Sequence, residues 1–376
     1  MNRQVRDGEG IAELSIVWSN LIEIESREIN KFLKLVATGS RKGVSLWFVP
    51  KREPKASDFS LEEEDLPDIK DGEFLVVAEY LSVDPYMRKV SSSLPLGTTM
   101  LGSQVARIVE SRNPDYPVGK HIVGYMGWRT HTIMHPDNFE AHSFLGRLPY
   151  LMPDLGDLPV SVSLGVLGQP GLTAYFGLTE ICKPKKGDTI VVSGAAGAVG
   201  SLVGQMAKLY GCRTIGIAGS TAKCVWLITE LGFDAAINYK EDDLFEKLKN
   251  VAPMGVDIYF DNVGGEISSA VIYQMNTFGR VAVCGSISSY NHPDPKNLPK
   301  CTIIQPPIVS KQLSIQGFLV ARWKDRKDEG LENICKWLRE GKLKHKESVT
   351  EGFENMFEAF RGMLKGDNFG KAIVRI

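Results

Sequence analysis

Val191-Val-Ser-Gly-Ala-Ala-Gly-Ala-Val-Gly200 decides the reading of this chain. Asp188 to Ser193 is a buried strand, and a helix spans Gly200 to Gly211. Between them Gly194, Gly197 and Gly200 fall three apart, a G-x-x-G-x-x-G form of the dinucleotide turn. The chemistry explains the glycines. One makes the tight turn, bare backbone lets a pyrophosphate approach, and the helix N-terminus offers free N–H groups to the anion.

Working outward, strands and helices alternate. Strands are expected at Thr214–Ala218, Ala235–Asn238, Val256–Phe260 and Arg280–Cys284. Helices are expected at Lys223–Leu231, Asp242–Asn250 and Ile267–Met275. This succession predicts a doubly wound parallel sheet with helices on both faces. The second strand also selects the cofactor. An NAD site places Asp or Glu near its end to hold the ribose 2′-hydroxyl. Here the stretch is Ile217-Ala-Gly-Ser-Thr-Ala-Lys223. Gly219 and Ser220 leave room, Lys223 supplies a cation for a 2′-phosphate, and the Tyr239 hydroxyl follows the next strand. NADPH is the expectation.

Upstream the pattern is different. Val44–Val49, Glu73–Leu81, Gln104–Glu110 and His121–Tyr125 read as short strands separated by turn signals such as Asp71-Gly72 and Pro117-Val-Gly119. They predict a barrel-like β domain. After Gly341 come a helix around Glu354–Leu364 and a strand at Lys371–Ile376 that could return to it. Residues 1–40 look like an N-terminal extension, with a short amphipathic helix possible over Ser19–Val36. The expected layout is residues 41–165 with 341–376 for the β domain and 166–340 for the dinucleotide domain.

Composition sets outer limits. The 376 residues suit two or three domains at roughly 150 residues each. Lys+Arg total 44 and Asp+Glu 45, and the net charge of −1 argues against a nucleic-acid or anionic-membrane binder. Two uncharged runs, Leu158–Thr179 and Thr189–Ala207, are broken by Gly, Ser and Gln and read as buried segments, not membrane spans. Met1–Gly10 lacks a signal-peptide layout, and Glu13, Glu23, Glu25 and Glu28 disfavour a transit peptide, so a cytoplasmic location is expected.

Six Cys and six His also bear on the reaction. The first Cys is Cys182, and Cys182, Cys212, Cys224, Cys284, Cys301 and Cys335 include no C-x-x-C pair. His131 and His135 are four apart, but Pro136 argues against a helix there. No metal site is expected, nor is there a P-loop or a G-x-S-x-G elbow. Hydride transfer to a carbonyl-conjugated double bond suits such a site. Hydride reaches the β carbon, and the enolate oxygen needs only a hydroxyl donor.

Six segments then occur in a fixed order: Asp84-Pro-Tyr-Met-Arg88, Gly168-Gln-Pro-Gly-Leu-Thr-Ala-Tyr175, Ala195-Ala-Gly-Ala-Val-Gly200, Phe260-Asp-Asn-Val-Gly-Gly265, Cys284-Gly-Ser-Ile-Ser-Ser-Tyr290 and Lys365-Gly-Asp-Asn368. In these the chain closely resembles the prostaglandin reductase / leukotriene B4 12-hydroxydehydrogenase family, zinc-independent medium-chain dehydrogenases/reductases. The likeness runs over about residues 43–376. It implies an α/β chain with a Rossmann doubly wound parallel sheet plus a GroES-like β-barrel domain. The activity implied is NADPH-dependent reduction of 2-alkenals and 2-alkenones, among them 15-oxo-prostaglandins and 4-hydroxynonenal.

By motif, the resemblance assigns Gly197, Ala198, Val199 and Gly200 to the pyrophosphate and Lys223 and Tyr239 to the 2′-phosphate. Asn262 contacts the cofactor. Cys284, Gly285, Ser286, Ile287, Ser288, Ser289 and Tyr290 wrap its nicotinamide half. Phe318, Leu319 and Val320 lie beside the carboxamide, and Asn368 closes over it from the tail. Tyr290 is the expected substrate-side donor, with Tyr86 second, lining the pocket mouth. The partner is a small enone or enal, and the family implies a homodimer. One departure stands out: a family Tyr-Arg-Trp triplet appears here as Ala321-Arg-Trp323. A quinone reductase of the same superfamily and a low-turnover NADPH-binding protein are the alternatives at this point.

Overall fold

The computed structural model describes residues 42–48 (backbone only), 54–92, 94–95, 97–144, 146–292 and 295–376. The proposed Ser19–Val36 helix and the extension up to residue 40 lie outside these. The chain forms two units. One comprises Met1–Gly43 with Glu63–Asp68, the other Val44–Glu62 with Ile69–Ile376. The second carries everything that positions the site.

Strands β1 (Lys42–Phe48) and β2 (Phe59–Asp65) form a two-stranded sheet. Strands β3 (Phe74–Ser82), β4 (Gln104–Ser111), β5 (His121–Gly124), β6 (His131–Met134) and β7 (Tyr150–Leu151) follow, with the short helix α1 (Tyr86–Ser91) between β3 and β4. Then comes the alternating stretch. Its strands are β8 (Thr189–Ser193), β9 (Arg213–Ala218), β10 (Ala235–Asn238), β11 (Val256–Asp261), β12 (Met275–Val283) and β13 (Ser314–Gly317). Its helices are α2 (Gln169–Phe176), α3 (Gly200–Leu209), α4 (Thr221–Thr229), α5 (Leu244–Val251), α6 (Gly265–Tyr273), α7 (Gln305–Ser310) and α8 (Lys327–Arg339). Strand β14 (Glu347–Glu351), helix α9 (Met356–Lys365) and strand β15 (Lys371–Arg375) complete the order.

Strands β8 to β13 make one six-stranded sheet in the order β10-β9-β8-β11-β12-β13, every pair parallel. The chain steps outward from β8 to one side, then restarts at β11 on the other. That is the doubly wound order, with its switch point between β8 and β11. Burial on both faces explains the apolar runs. Along β8, Ile190 and Val192 join one core with Ile258, Phe260 and Ala282, while Val191 joins the opposite core with Tyr259 and Val281.

The second sheet runs β14-β15-β3-β4-β5-β7, with β6 also on β3. Its pairs are antiparallel except β14 with β15. The tail strand β15 therefore sits beside β3, at the register Val374 to Leu81.

Several elements depart from the expected bounds. Helix α4 starts at Thr221 because Ser220 caps it, accepting from the Lys223 backbone N–H at 3.3 Å. Strand β12 begins at Met275, where the Ile267–Met275 helix was expected to end. Strands β6, β13 and β14 carry no strong periodic signal, whereas helix α8 places Leu331, Ile334, Cys335 and Leu338 at helical spacing and is a helix the sequence reading passed over. Strand β13 is a mostly exposed edge, and α8 is dominated by charged residues.

Candidate active site at the switch point

Gly194 follows β8 with φ of 57°, left-handed backbone that favours glycine. Gly197 N donates to Gly194 O at 3.0 Å, closing the turn. A Cβ on Gly200 would lie 2.4 Å from that same carbonyl, so helix α3 can start there only with glycine. The N–H groups opening α3 thus lie at the carboxyl end of β8, beside the switch point, where open α/β sheets bind ligands.

Across the switch, Asn262 is a strut. Its backbone N donates to Ser193 Oγ at 3.0 Å and its Nδ2 to Ser193 O at 2.7 Å. The buried Asp261 fastens the turn after β11. Its Oδ1 accepts from Ser193 Oγ (3.1 Å), Tyr259 OH (2.9 Å) and the backbone N–H of Val263 (3.0 Å) and Gly264 (2.9 Å). Ser268 Oγ donates to Oδ2 at 2.7 Å.

Lys223, in the first turn of α4, is only 8% exposed. Its Nζ donates to the Gly366 carbonyl and lies 5.6 Å from the Phe369 ring centroid. Burial pushes its pKa down, Asp367 opposes that, and Lys240 adds to it. Tyr239 is exposed, and its hydroxyl lies 3.3 Å from where a Cβ on Gly219 would stand; Lys240 Cε is equally near. Sequence reasoning missed Lys240, although it directly follows Tyr239.

The tail reaches this place. Gly370 N donates to Ala196 O at 2.8 Å, and Gly370 bridges Gly197 in parallel. Asn368 Nδ2 donates to Gly370 O at 2.7 Å. The Gly366–Gly370 segment therefore packs against the glycine turn, with Asn368 shaping its own loop.

The segment from Cys284 to Tyr290 folds back over Asn262 and Val263. Cys284 N and Gly285 N donate to Asp261 O at 2.8 and 3.1 Å, Ile287 N to Asn262 O at 3.3 Å, and Ser288 N to Val263 O at 3.1 Å. Ser286 Oγ and Ser289 Oγ pair at 2.9 Å. Burial and the neighbouring Asp261 push the Cys284 thiol up to about 12, so it stays protonated. Tyr290 OH accepts from Ser286 N at 3.2 Å, leaving its own proton to donate elsewhere. Burial holds its pKa above the ordinary value, the Ser286 N–H partly offsetting that.

Phe318, Leu319 and Val320 separate. Phe318 packs edge-on against Phe260, Leu319 is exposed, and Val320 is buried in the wall of a cavity. This cavity, about 370 Å³, lies between β5, β7, α2 and the Val320–Lys327 segment. Its wall includes Asp84, Tyr125, Gln169, Ala321 and Trp323. Tyr125 OH donates to Gln169 Oε1, and burial pushes the phenol up to about 12.

Neither Tyr290 nor Tyr86 is in that wall, so Tyr86 does not line the cavity where a pocket-mouth residue would. Its ring stacks on Phe144 at 5.1 Å and its buried hydroxyl faces Tyr125. Burial, then Tyr125 and Asp84, hold its pKa well above the ordinary range. The wall residues Tyr125 and Gln169 escaped sequence reasoning, although Gln169 stands in a motif quoted above.

Among the described residues no three His, Cys, Asp or Glu side chains gather as a metal site, and no helix is long and apolar enough to cross a membrane.

Two protein-family descriptions match the chain: "N-terminal domain of oxidoreductase" over residues 42–141 and "Zinc-binding dehydrogenase" over 198–335. Prostaglandin reductase 1 of Bos taurus is 50% identical over 324 residues, covering 86% of this chain and 95% of the bovine one. The NADPH-dependent curcumin reductase of Escherichia coli is 40% identical, covering 87% and 94%. Among solved structures, CurA from Vibrio vulnificus in complex with NADPH superposes with a TM-score of 0.79 at 38% identity, covering 89% of this chain and 98% of that one.

Proposed function

The chain belongs to the prostaglandin reductase family of zinc-independent medium-chain dehydrogenases/reductases, and from that premise we propose that it reduces the carbon–carbon double bond of α,β-unsaturated ketones and aldehydes with NADPH. Lys223 is the observation that carries this reading. Its ammonium, in the first turn of α4 just beyond β9, is buried against a carbonyl and an aromatic face, with no carboxylate at hydrogen-bond distance among the described residues. A buried cation so placed favours an anion, and the 2′-phosphate distinguishes NADPH from NADH.

The residues present fit that cofactor. Gly197, Ala198, Val199 and Gly200 would take the pyrophosphate on backbone N–H groups. Lys223 and Tyr239 would hold the 2′-phosphate, with Asn368 closing from the tail. Asn262, the Cys284–Tyr290 loop and Phe318–Val320 would frame the nicotinamide half. When bound, NADPH supplies a hydride. The chain's part is to hold a proton near the substrate oxygen, where negative charge develops. Tyr290 is the donor in this reading. Its raised pKa keeps the phenol protonated near neutrality, and its acceptor side is filled by Ser286 N–H. Tyr86, its hydroxyl buried against Tyr125, is the second candidate.

We place the domain limits at 41–165 with 341–376 and at 166–340. We also infer a homodimer, supported by the exposed edge strand β13 and the exposed Ile303 and Val309 near it. A cytoplasmic location accords with six unpaired cysteines.

Loss of NADPH absorbance tests the function. Rapid consumption with 4-hydroxynonenal or a 15-oxo-prostaglandin supports it. Consumption with quinones alone, or binding without turnover, overturns it.

A further inference from the structure

Gln169 puts a side-chain amide into the cavity wall, and two phenols decide which of its ends faces the space. Tyr125 OH donates to Gln169 Oε1. Behind Tyr125 lies the buried Tyr86 hydroxyl. The two phenols affect each other with opposite signs. After burial, Tyr125 is the largest influence raising the Tyr86 pKa, whereas Tyr86, after burial, Arg147 and Asp84, lowers that of Tyr125. A Tyr86 proton directed at the Tyr125 oxygen has this effect. The two ends of an amide are told apart by their partners. The Tyr125 proton needs an acceptor, which the carbonyl end of Gln169 is and the NH2 end is not. The donors therefore run from Tyr86 to Tyr125 to Gln169, and a reversed amide would strand the Tyr125 proton.

The consequence falls on the other end of the amide. Gln169 Nε2 makes no hydrogen bond among the described residues and is not sealed from the cavity. It offers N–H groups to whatever enters. Several other polar groups of the wall are engaged. Asp84 Oδ1 accepts from the buried Lys371 Nζ at 3.0 Å, and its Oδ2 accepts from Ser82 Oγ. Ser163 Oγ donates to Met152 Sδ at 3.3 Å, and Lys327 Nζ is held 3.7 Å from the Tyr150 ring centroid.

The backbone under Gln169 is fixed. Helix α2 begins there, and Pro170 sets φ in its first turn. Gly168 and Gly171 let that turn sit against the preceding segment. A Cβ on the first would lie 2.2 Å from Ser163 O, and one on the second 1.8 Å from Val166 O. At its far end α2 stacks Phe176 on Trp323 at 5.4 Å, and Trp323 packs edge-on against Phe318 at 5.8 Å. The helix is thus tied to the Phe318–Val320 segment that would frame the nicotinamide half, and Val320 shares the cavity wall with Gln169.

We propose that Gln169 is a catalytic residue of the enone reduction, its Nε2–H groups holding the substrate carbonyl oxygen and the enolate charge that develops there, with Tyr125 and Tyr86 as positioning residues behind it. The proposal rests on the enone-reductase reading and deepens it. As hydride adds to the β carbon, the π pair of the carbon–carbon double bond moves next to the carbonyl carbon and the carbonyl π pair moves to oxygen. The amide donates hydrogen bonds to that oxygen and gives up no proton. The proton that completes the ketone comes from elsewhere, Tyr290 in the reading above. A carbonyl oxygen has two lone pairs, so both groups can serve it. Tyr86 then acts through the chain of hydroxyls and not on substrate.

The test uses 4-phenyl-3-buten-2-one with NADPH for turnover, and its saturated product 4-phenyl-2-butanone, isotope-labelled at the carbonyl carbon, with NADP⁺ for a readout without turnover. Gln169→Met keeps side-chain length and removes the donors. It should lower kcat by about 10²-fold with little change in KM. Infrared difference spectra should show the bound carbonyl stretch at lower frequency in the wild type than in this variant. Tyr125→Phe leaves the amide in place but frees it to turn, so an intermediate loss of kcat and a partial shift of the band are expected. Circular dichroism checks both folds. An unchanged kcat, a raised KM alone, or a lower kcat with an unmoved carbonyl band overturns the catalytic role and leaves the reductase reading standing. No wild-type turnover together with a band that depends on Gln169 overturns the reductase reading and keeps the hydrogen bond. A Tyr125→Phe variant that matches the wild type in rate and band overturns the positioning chain.

Discussion

Arg88 Nε donates to Asn291 Oδ1 at 3.1 Å, across 203 residues of sequence. Arg88 lies in α1, two residues after Tyr86, and is 1% exposed. Asn291 directly follows Tyr290. One side-chain bond therefore ties the loop carrying the proposed donor to the helix carrying the second candidate tyrosine. Asn291→Ala should loosen the Tyr290 loop without removing any group that touches substrate. The expected result is a several-fold loss in kcat with a smaller change in NADPH affinity, partly restored in Asn291→Gln. Steady-state kinetics with a fixed enone would show it, and an unchanged kcat would rule out the tie.

Lys223→Glu places a carboxylate where a 2′-phosphate is proposed. NADPH affinity should fall by roughly a hundredfold or more, since a charge-assisted contact is lost and a repulsion gained. NADH should be far less affected. Fluorescence titration with both nucleotides measures the difference. Equal losses would refute the assignment.

Tyr290→Phe deletes the proposed donor. A loss in kcat of about 10²-fold is expected, the usual scale for one positioned proton donor. Because burial raises the Tyr290 pKa, any decline of the wild-type rate at high pH should lie above the ordinary tyrosine value. A pH–rate profile extended to that region checks the sign. A fall centred below the ordinary value would argue for a different acid.

Ala321 lines the cavity, a small side chain beside Val320 and Trp323. Ala321→Tyr should fill part of the chamber and discriminate by length. KM should rise for long-chain enones and stay close to its starting value for short ones. A uniform change across chain lengths would mean that Ala321 does not measure the tail.

Lys371→Met removes one partner of a buried ion pair. Lys371 Nζ also donates to Val83 O at 2.7 Å and Ala372 O at 3.0 Å. Stranding Asp84 should cost about 3–5 kcal/mol. Urea denaturation would measure it, and Asp84→Asn combined with Lys371→Met should recover part of the loss. A near-neutral single variant would show that the pair is not a structural link.

Much of the dinucleotide half was legible because strand-turn-helix logic is local. The Val191–Gly200 turn needs no distant partner to be recognised, and Ser220 to Lys223 declares itself within four residues. The cavity was not legible, because its wall is assembled from far apart. Tyr125 meets Gln169 across 44 positions, and Lys327 meets Tyr150 only because α8 folds against β7. Helix α8 was legible but passed over: Leu331, Ile334, Cys335 and Leu338 stand at helical spacing among its charges, and Ile334 is fully buried. Strand β14 was missed because Glu347-Ser-Val-Thr-Glu351 reads as loop until β15 pairs with it. Tyr86 was expected at the pocket mouth on its motif alone; the stack on Phe144, which turns it toward Tyr125, depends on a contact 58 residues away.

The seam between β3 and β15 has a consequence for how the molecule is made. Leu81 pairs with Val374, so β3 leaves the ribosome roughly 290 residues before that neighbour exists, a wait of about 15–60 s at ordinary elongation speeds. The intervening parallel sheet can collapse first, while the Tyr80–Ser82 end of β3, beyond the part covered by β6, stays bare and Asp84 lacks its ammonium. Exposed edges of that kind recruit other strands. Assembly of this protein is thus a race between the arrival of one short strand and any chance partner that reaches the edge first.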